Sequence, residues 1–239
     1  MLWVEVCQTI LGHFKTFPKI GHKMSKKKKT PNFIGITGTH CVGKTTLAEK
    51  LTALCTKRDI KATTLEEVVR KVAKLNDPRF KIHGEQTLYT TNLIIQKQME
   101  YEDELMKQDF DVVFCDRTVV DPLYYLFATK KHADKLDKWR NGTSIKDLCI
   151  SNCFEASREL MFRYHYLIYC KLGTFYALQD DLENDGFRDT GAAFRMRIQD
   201  NVEKILSAVN TPLIMQHFAL SIPLDNDRYY NNLLDEILF

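Results

Sequence analysis

Gly38, Gly43, Lys44 and Thr45 stand in the order and spacing of a phosphate-binding loop, with Thr39, His40, Cys41 and Val42 as the four spacers and Thr46 following. The residue types suit one task. Glycines let the backbone curl so that successive N–H groups face phosphate oxygens, the lysine reaches the β and γ oxygens, and the threonine hydroxyl ligates magnesium. Phosphoryl transfer asks little covalent help of a protein; it needs positioning, Mg2+ and positive charge around the moving group. Carboxylates and arginines are therefore the next candidates. Asp116 closes an apolar run and fits a Walker B position, holding the metal with Thr45 directly or through water, with a helix cap as its structural alternative. Arg117, its neighbour, either pairs with Asp116 or reaches a substrate phosphate.

Glu66 and Glu67 end another apolar run, with Arg70 three residues on. A carboxylate there faces the acceptor side of the cleft, where Glu67 would serve as general base and Glu66 and Arg70 as substrate contacts; acids that complement a helix dipole are the plainer reading. Asp121 is a second acceptor-side carboxylate, and Gln96 a candidate reader of the acceptor's edge. Arg188 falls in a polar loop and Arg195 on the first turn of the helix after it. Cations at a helix start oppose its dipole, so an anion such as the γ-phosphate is their natural complement. The aromatics Tyr124 to Phe127 and Arg163 to Tyr166 read as core, His165 among them as a satisfied core histidine.

Positioning these residues takes strands that end at one edge. Five apolar runs, at 33–37, 60–65, 112–115, 164–170 and 212–216, alternate with helical patterns at 43–57, 66–74, 85–107, 121–130, 145–162, 192–209 and 225–237. Alternation of this kind predicts an α/β fold with a parallel sheet and right-handed crossovers, whose strand ends carry the ligands. Residues 173–192 read as an arginine-bearing lid, and 31–239 as one domain after a basic extension over 1–30.

At 239 residues and 44% hydrophobic content the chain can bury a sizeable core, and a net charge of +3 gives no strong signal for nucleic acid. Lys26 to Lys29 form a solvated run, or alternatively a nuclear address or an anionic-lipid contact. Seven scattered cysteines lack a disulfide framework and point to a reducing, cytoplasmic setting. The first 23 residues are too short and interrupted for a membrane span and lack a leader pattern, while Met24 is a natural second start. No guanine-reading AsnLysXaaAsp appears, and an oligomeric motor's helical lid domain has no room.

The series GlyThrHisCysValGlyLysThrThr, GluGluValValArg (66–70), CysAspArgThrValValAsp (115–121) and AspGlyPheArg through PheArg (185–195) resembles the AAA-domain family of small P-loop kinases that includes the nicotinamide riboside kinase domain, and more distantly the deoxynucleoside and thymidylate kinases. The resemblance spans residue 32 to the C-terminus and implies a three-layer fold with a five-stranded parallel sheet of the kinase class, and Mg2+ and ATP as phosphoryl donor. It implies a small-molecule acceptor: a nucleoside, nucleotide or pyridine riboside. The family also has members proposed to act as nucleotide-switched binding modules for lipid or protein partners, which is the alternative function.

Overall fold

The computed structural model describes residues 30–75, 77–129, 160–171, 192–208, 214–217 and 226–238. Its strands are β1 (Asn32–Thr37), β2 (Ala62–Leu65), β3 (Val112–Asp116), β4 (Tyr166–Cys170) and β5 (Ile214–His217). Its helices are α1 (Lys44–Lys57), α2 (Val68–Ala73), α3 (Leu88–Met106), α4 (Asp121–Ala128), α5 (Ala192–Ala208) and α6 (Asp227–Leu238). The strands lie in the order β2-β3-β1-β4-β5, every neighbouring pair parallel. The α/β class and parallel sheet expected from the alternating pattern are thus present. The lid segment before Ala192, with Arg188, and the lysine run lie outside the described residues.

Period-two burial explains why these short runs form strands. Ile34, Ile36, Val112, Phe114 and Ile168 face a core shared with α1 and α6, through Leu47, Leu51, Leu234 and Ile237. Their neighbours Phe33, Val113, Cys115, Leu167 and Tyr169 face the other core, filled by Leu123, Phe127, Ile198 and Val202 of α4 and α5. Helices on both faces leave the central strands β1, β3 and β4 no polar side, hence their largely apolar character. Cys55, Cys115 and Cys170 are buried free thiols.

Several boundaries differ from the sequence reading for local reasons. The fourth strand starts at Tyr166 because Met161–Arg163 winds into a 3-10 turn. The second helix starts at Val68, since Glu66 and Glu67 belong to the strand tip. The third starts after Thr87, whose hydroxyl accepts from the N–H of Thr90 as an N-cap. His165 is an exposed residue at the strand's start rather than a core one; its Nδ1 accepts the Phe33 N–H at 3.1 Å. Among the described residues no helix is long and apolar enough to cross a membrane.

Register places the business ends together. Ile36 lies opposite Asp116 and Leu65 opposite Cys115, so Gly38, Glu67 and Arg117 emerge at one edge. The chain leaves β1 for β2 on one side and later returns to β4 on the other, making β1 the switch point where open α/β sheets bind ligands. Gly38 turns there with φ of 143°, and a Cβ on it would sit 2.3 Å from the Cys170 carbonyl oxygen. Gly38→Ala is expected to cost about 2–4 kcal/mol in urea unfolding, because neither the backbone angle nor β4 can yield.

Candidate active site

The loop after β1 wraps a cradle of about 410 Å³ lined by residues 41–46 together with Glu67, Asp116 and Arg117. Left-handed backbone at Cys41 (φ 58°) and Gly43 (φ 81°) supplies the curl that the glycine spacing predicts. Cys41 adopts it without being glycine. Lys44 begins α1, is buried, and donates from Nζ to the Thr39 carbonyl at 2.5 Å. Burial, then the nearby Arg117, lowers its pKa to about 8 against the opposing pull of Asp116, Asp121 and Glu67. An ammonium this poorly solvated is poised for an anion.

Thr45 Oγ1 donates to Asp116 Oδ2 at 2.5 Å, joining the loop to the tip of β3. Hydroxyl and carboxylate oxygens are the hard ligands magnesium prefers. Among the described residues no group of three or more His, Cys, Asp or Glu could hold a metal alone. A cation at Thr45 and Asp116 would therefore complete its shell with phosphate and water oxygens, as magnesium commonly does. Asp116→Asn is expected to weaken magnesium-dependent nucleotide binding by roughly 10–100-fold while leaving magnesium-free binding nearly unchanged, a contrast that titrations with and without chelator would measure.

Next to the cradle lies a second cavity of about 700 Å³, and Glu67 and Arg117 line both. Glu67 is 11% exposed. Its Oε2 accepts from Arg70 Nε at 3.0 Å and its Oε1 from Arg117 Nε. Burial acts to raise its pKa, but Arg117, Lys44 and Arg70 together bring it down to about 2. Arg117 Nη1 also lies 3.5 Å from Asp121 Oδ1, and its guanidinium sits 5.2 Å from the Tyr125 ring centroid. Neither partner expected of Arg117 from sequence is Glu67 or Asp121; the pairing with Asp116 gives way because Asp116 faces Thr45.

Asp121 is buried at the start of α4, where Oδ2 accepts from Thr37 Oγ1 (2.8 Å), Thr118 N (2.9 Å) and Thr118 Oγ1 (2.6 Å). Burial raises its pKa despite Arg117 and Lys44. Much of the remaining wall comes from Val68 and Arg70 of α2, Ile94 and Gln98 of α3, Pro122 and Tyr125 of α4, Phe194 of α5, and His40 of the loop. His40, Tyr125 and Phe194 form a ring cluster with centroids 6.1–6.5 Å apart.

Two expected substrate contacts point elsewhere. Glu66 is exposed and lies 3.7 Å from Lys71. Gln96 is exposed and donates to Glu100 at 3.0 Å. The glutamines that line the cavity are Gln86 and Gln98; Gln98 is two positions from Gln96, about 200° around the helix. Its signal was available, since Thr91, Ile94, Ile95, Gln98 and Glu102 mark the buried stripe of α3. Arg195 is wholly buried and lines neither cavity, but its carbonyl accepts from Thr39 Oγ1 at 3.4 Å, which ties the first turn of α5 to the phosphate loop. Tyr125, read as core, is a cavity residue.

Residues 33–217 match the family model described as an AAA domain. No curated protein matches the chain. Among solved structures, the crystal structure of NadR protein in complex with NR is similar, with a TM-score of 0.51 and 14% identity over 87% of this chain and 50% of that one. The chain thus spans half the length of that relative, and the likeness is one of fold. A phosphate loop at the sheet's switch point, a threonine and strand-tip aspartate in contact, and a family match across most of the sequence lead to one assignment: the chain belongs to the AAA-domain family.

Proposed function

We propose that the protein is a phosphotransferase that uses ATP with Mg2+ and moves the γ-phosphoryl group to a small nucleoside, nucleotide or pyridine-riboside acceptor. One observation carries this reading: the phosphate cradle and the neighbouring cavity share Glu67 and Arg117, so a terminal phosphate held by Lys44 faces the occupant of the second chamber across those two side chains. Thr45 and Asp116 would hold Mg2+, which would supply charge to offset that of the phosphates. Lys44 holds the phosphate oxygens from the loop, Arg117 supplies positive charge, and Glu67 orients the attacking hydroxyl. Arg188, outside the described residues in the segment whose sequence reads as a lid, is the further candidate to supply charge. The likeness to NadR protein in complex with NR makes a pyridine riboside the first acceptor to try. A second, largely apolar cavity beside the cradle favours transfer over a nucleotide-switched binding module, which needs no acceptor chamber.

Incubation of the purified chain with γ-labelled ATP, Mg2+ and a panel of nucleosides, mononucleotides and pyridine ribosides tests the reading. Label in one acceptor class supports it. Intact ATP binding with transfer to none of them rejects it in favour of the binding module.

A further inference from the structure

Gln86 and Gln98 line the acceptor cavity, yet the amide hydrogens of both are committed away from it. Gln98 Nε2 donates to Glu102 Oε1 at 2.9 Å and to the Arg117 carbonyl at 3.3 Å. Gln86 Nε2 donates to the Pro122 carbonyl at 2.6 Å and to Thr91 Oγ1 at 3.0 Å. A primary amide has two hydrogens, so each is fully spent. The partners dictate the orientation: a main-chain carbonyl only accepts, so the nitrogen rather than the oxygen must face it. Among the described residues no donor reaches either Oε1, leaving the two carbonyl oxygens as what these glutamines offer the cavity.

Glu102 makes the orientation of Gln98 strict. It lies one turn further along the same face of α3, is wholly buried, and never touches the cavity. Arg163 Nε donates to its Oε2 at 2.9 Å and Tyr164 Oη to its Oε1 at 2.6 Å, while Tyr164 Oη also accepts the Val119 N–H at 3.0 Å. Burial raises the Glu102 pKa, but Arg163 and Tyr164 donate to its two oxygens and the Gln98 amide to Oε1, so both oxygens stand as acceptors. Flipping Gln98 would set oxygen against oxygen at both Glu102 and the Arg117 carbonyl, and two desolvated acceptors would lose their partner.

We infer that Glu102 is a positioning residue that locks the Gln98 amide so that the cavity presents carbonyl oxygens, and that its ligand offers N–H donors there, as a carboxamide or exocyclic amine does, rather than a carboxylate. This rests on the acceptor reading above for the identity of the ligand, but the lock itself does not.

The test has two arms. In protein labelled with 15N-glutamine, with Gln98→Leu used for assignment, the wild-type Gln98 side-chain NH2 exchanges with solvent more slowly than that of exposed Gln96, and Glu102→Gln brings the two together. A wild-type Gln98 signal exchanging as fast as Gln96, or protection unchanged in Glu102→Gln, overturns the lock. The second arm is calorimetry with Mg2+ and a non-hydrolysable ATP analogue, comparing nicotinamide riboside, which carries a carboxamide, with nicotinic acid riboside, which carries a carboxylate in its place. Wild type should prefer the carboxamide by about tenfold or more, Glu102→Gln should collapse that ratio, and in a Gln98→Leu background Glu102→Gln should change it no further. An equal loss for both ribosides in Glu102→Gln, or a wild-type preference for the carboxylate, overturns the inference. If wild type binds neither, the proposed acceptor class fails and the exchange comparison alone decides.

Discussion

Lys44→Ala is expected to remove measurable ATP binding and, with it, all turnover, while circular dichroism and the urea midpoint stay close to wild type. The first half follows from what the side chain faces. Its ammonium is the one cation that the loop itself directs into the cradle, and it reaches the phosphates from a site where burial denies it water. The second half follows from its bonding: among the described residues Nζ donates to the Thr39 carbonyl alone, which the loop can leave to solvent or nucleotide. Full ATP affinity in the variant would refute the role. The lowered pKa adds a signature. Burial and Arg117 lower the Lys44 pKa to about 8, and a triphosphate would stabilise its charged form, so nucleotide binding should take up protons around pH 8 to 9 and strengthen as pH falls through that window. Calorimetry in two buffers of different ionisation enthalpy reads this directly. For stability of the nucleotide-free protein the sign is opposite. A lysine whose folded pKa lies below its unfolded value leaves the unfolded chain binding more protons between about 8 and 10.5, so this group alone makes the fold more stable as pH rises through that range.

Glu67→Gln should lower kcat by roughly 10²–10⁴ with ATP affinity altered far less, since the side chain meets the acceptor rather than the phosphate tail. Equal losses in both would mark it as a structural part of the Arg70–Glu67–Arg117 chain. A carboxylate titrating at about 2 is a weak proton acceptor, which refines the general-base expectation. In a loose transition state the hydroxyl proton departs late, so an ionised oxygen that aligns the hydroxyl suffices. The depressed pKa has a kinetic corollary: Glu67 stays charged throughout the working range and contributes no acid limb near neutrality. A wild-type kcat that falls through pH 6 or 7 on the acid side has to be assigned to another group. Asp121, whose pKa burial raises, is another carboxylate lining the same cavity.

The parts of the site that sequence made legible are those built from contiguous residues or strand ends. The loop from Gly38 to Thr46 is a local motif, and its curl depends on its own glycines. Asp116, Arg117 and Glu67 could be placed because an apolar run that stops at a charge is a strand tip, and parallel strands gather their tips at one edge. The helix-borne part was less readable. Choosing between Gln96 and Gln98 requires the phase of α3, and its apolar residues run so nearly continuously through Leu93, Ile94 and Ile95 that two phases look alike. Polar residues on the buried stripe, Gln98 and Glu102, were the evidence for the right phase. Arg195 misled for a related reason: its position on the first turn of α5 was correctly read, but the direction of its side chain depends on how α5 packs against α4, a contact between segments about 70 residues apart. The partners of Arg117 were likewise set by chain segments distant in sequence.

Arg117 itself has a consequence beyond its ion pairs. It follows β3 with φ at 92°, a left-handed conformation that a non-glycine residue holds only at a cost on the order of 1–3 kcal/mol. A long, flexible side chain normally finds its target by sampling; here the main chain bends unfavourably so that the guanidinium starts out aimed at both chambers. Glycine would take the same bend without strain, so an arginine there marks the spot where resilience is given up for aim.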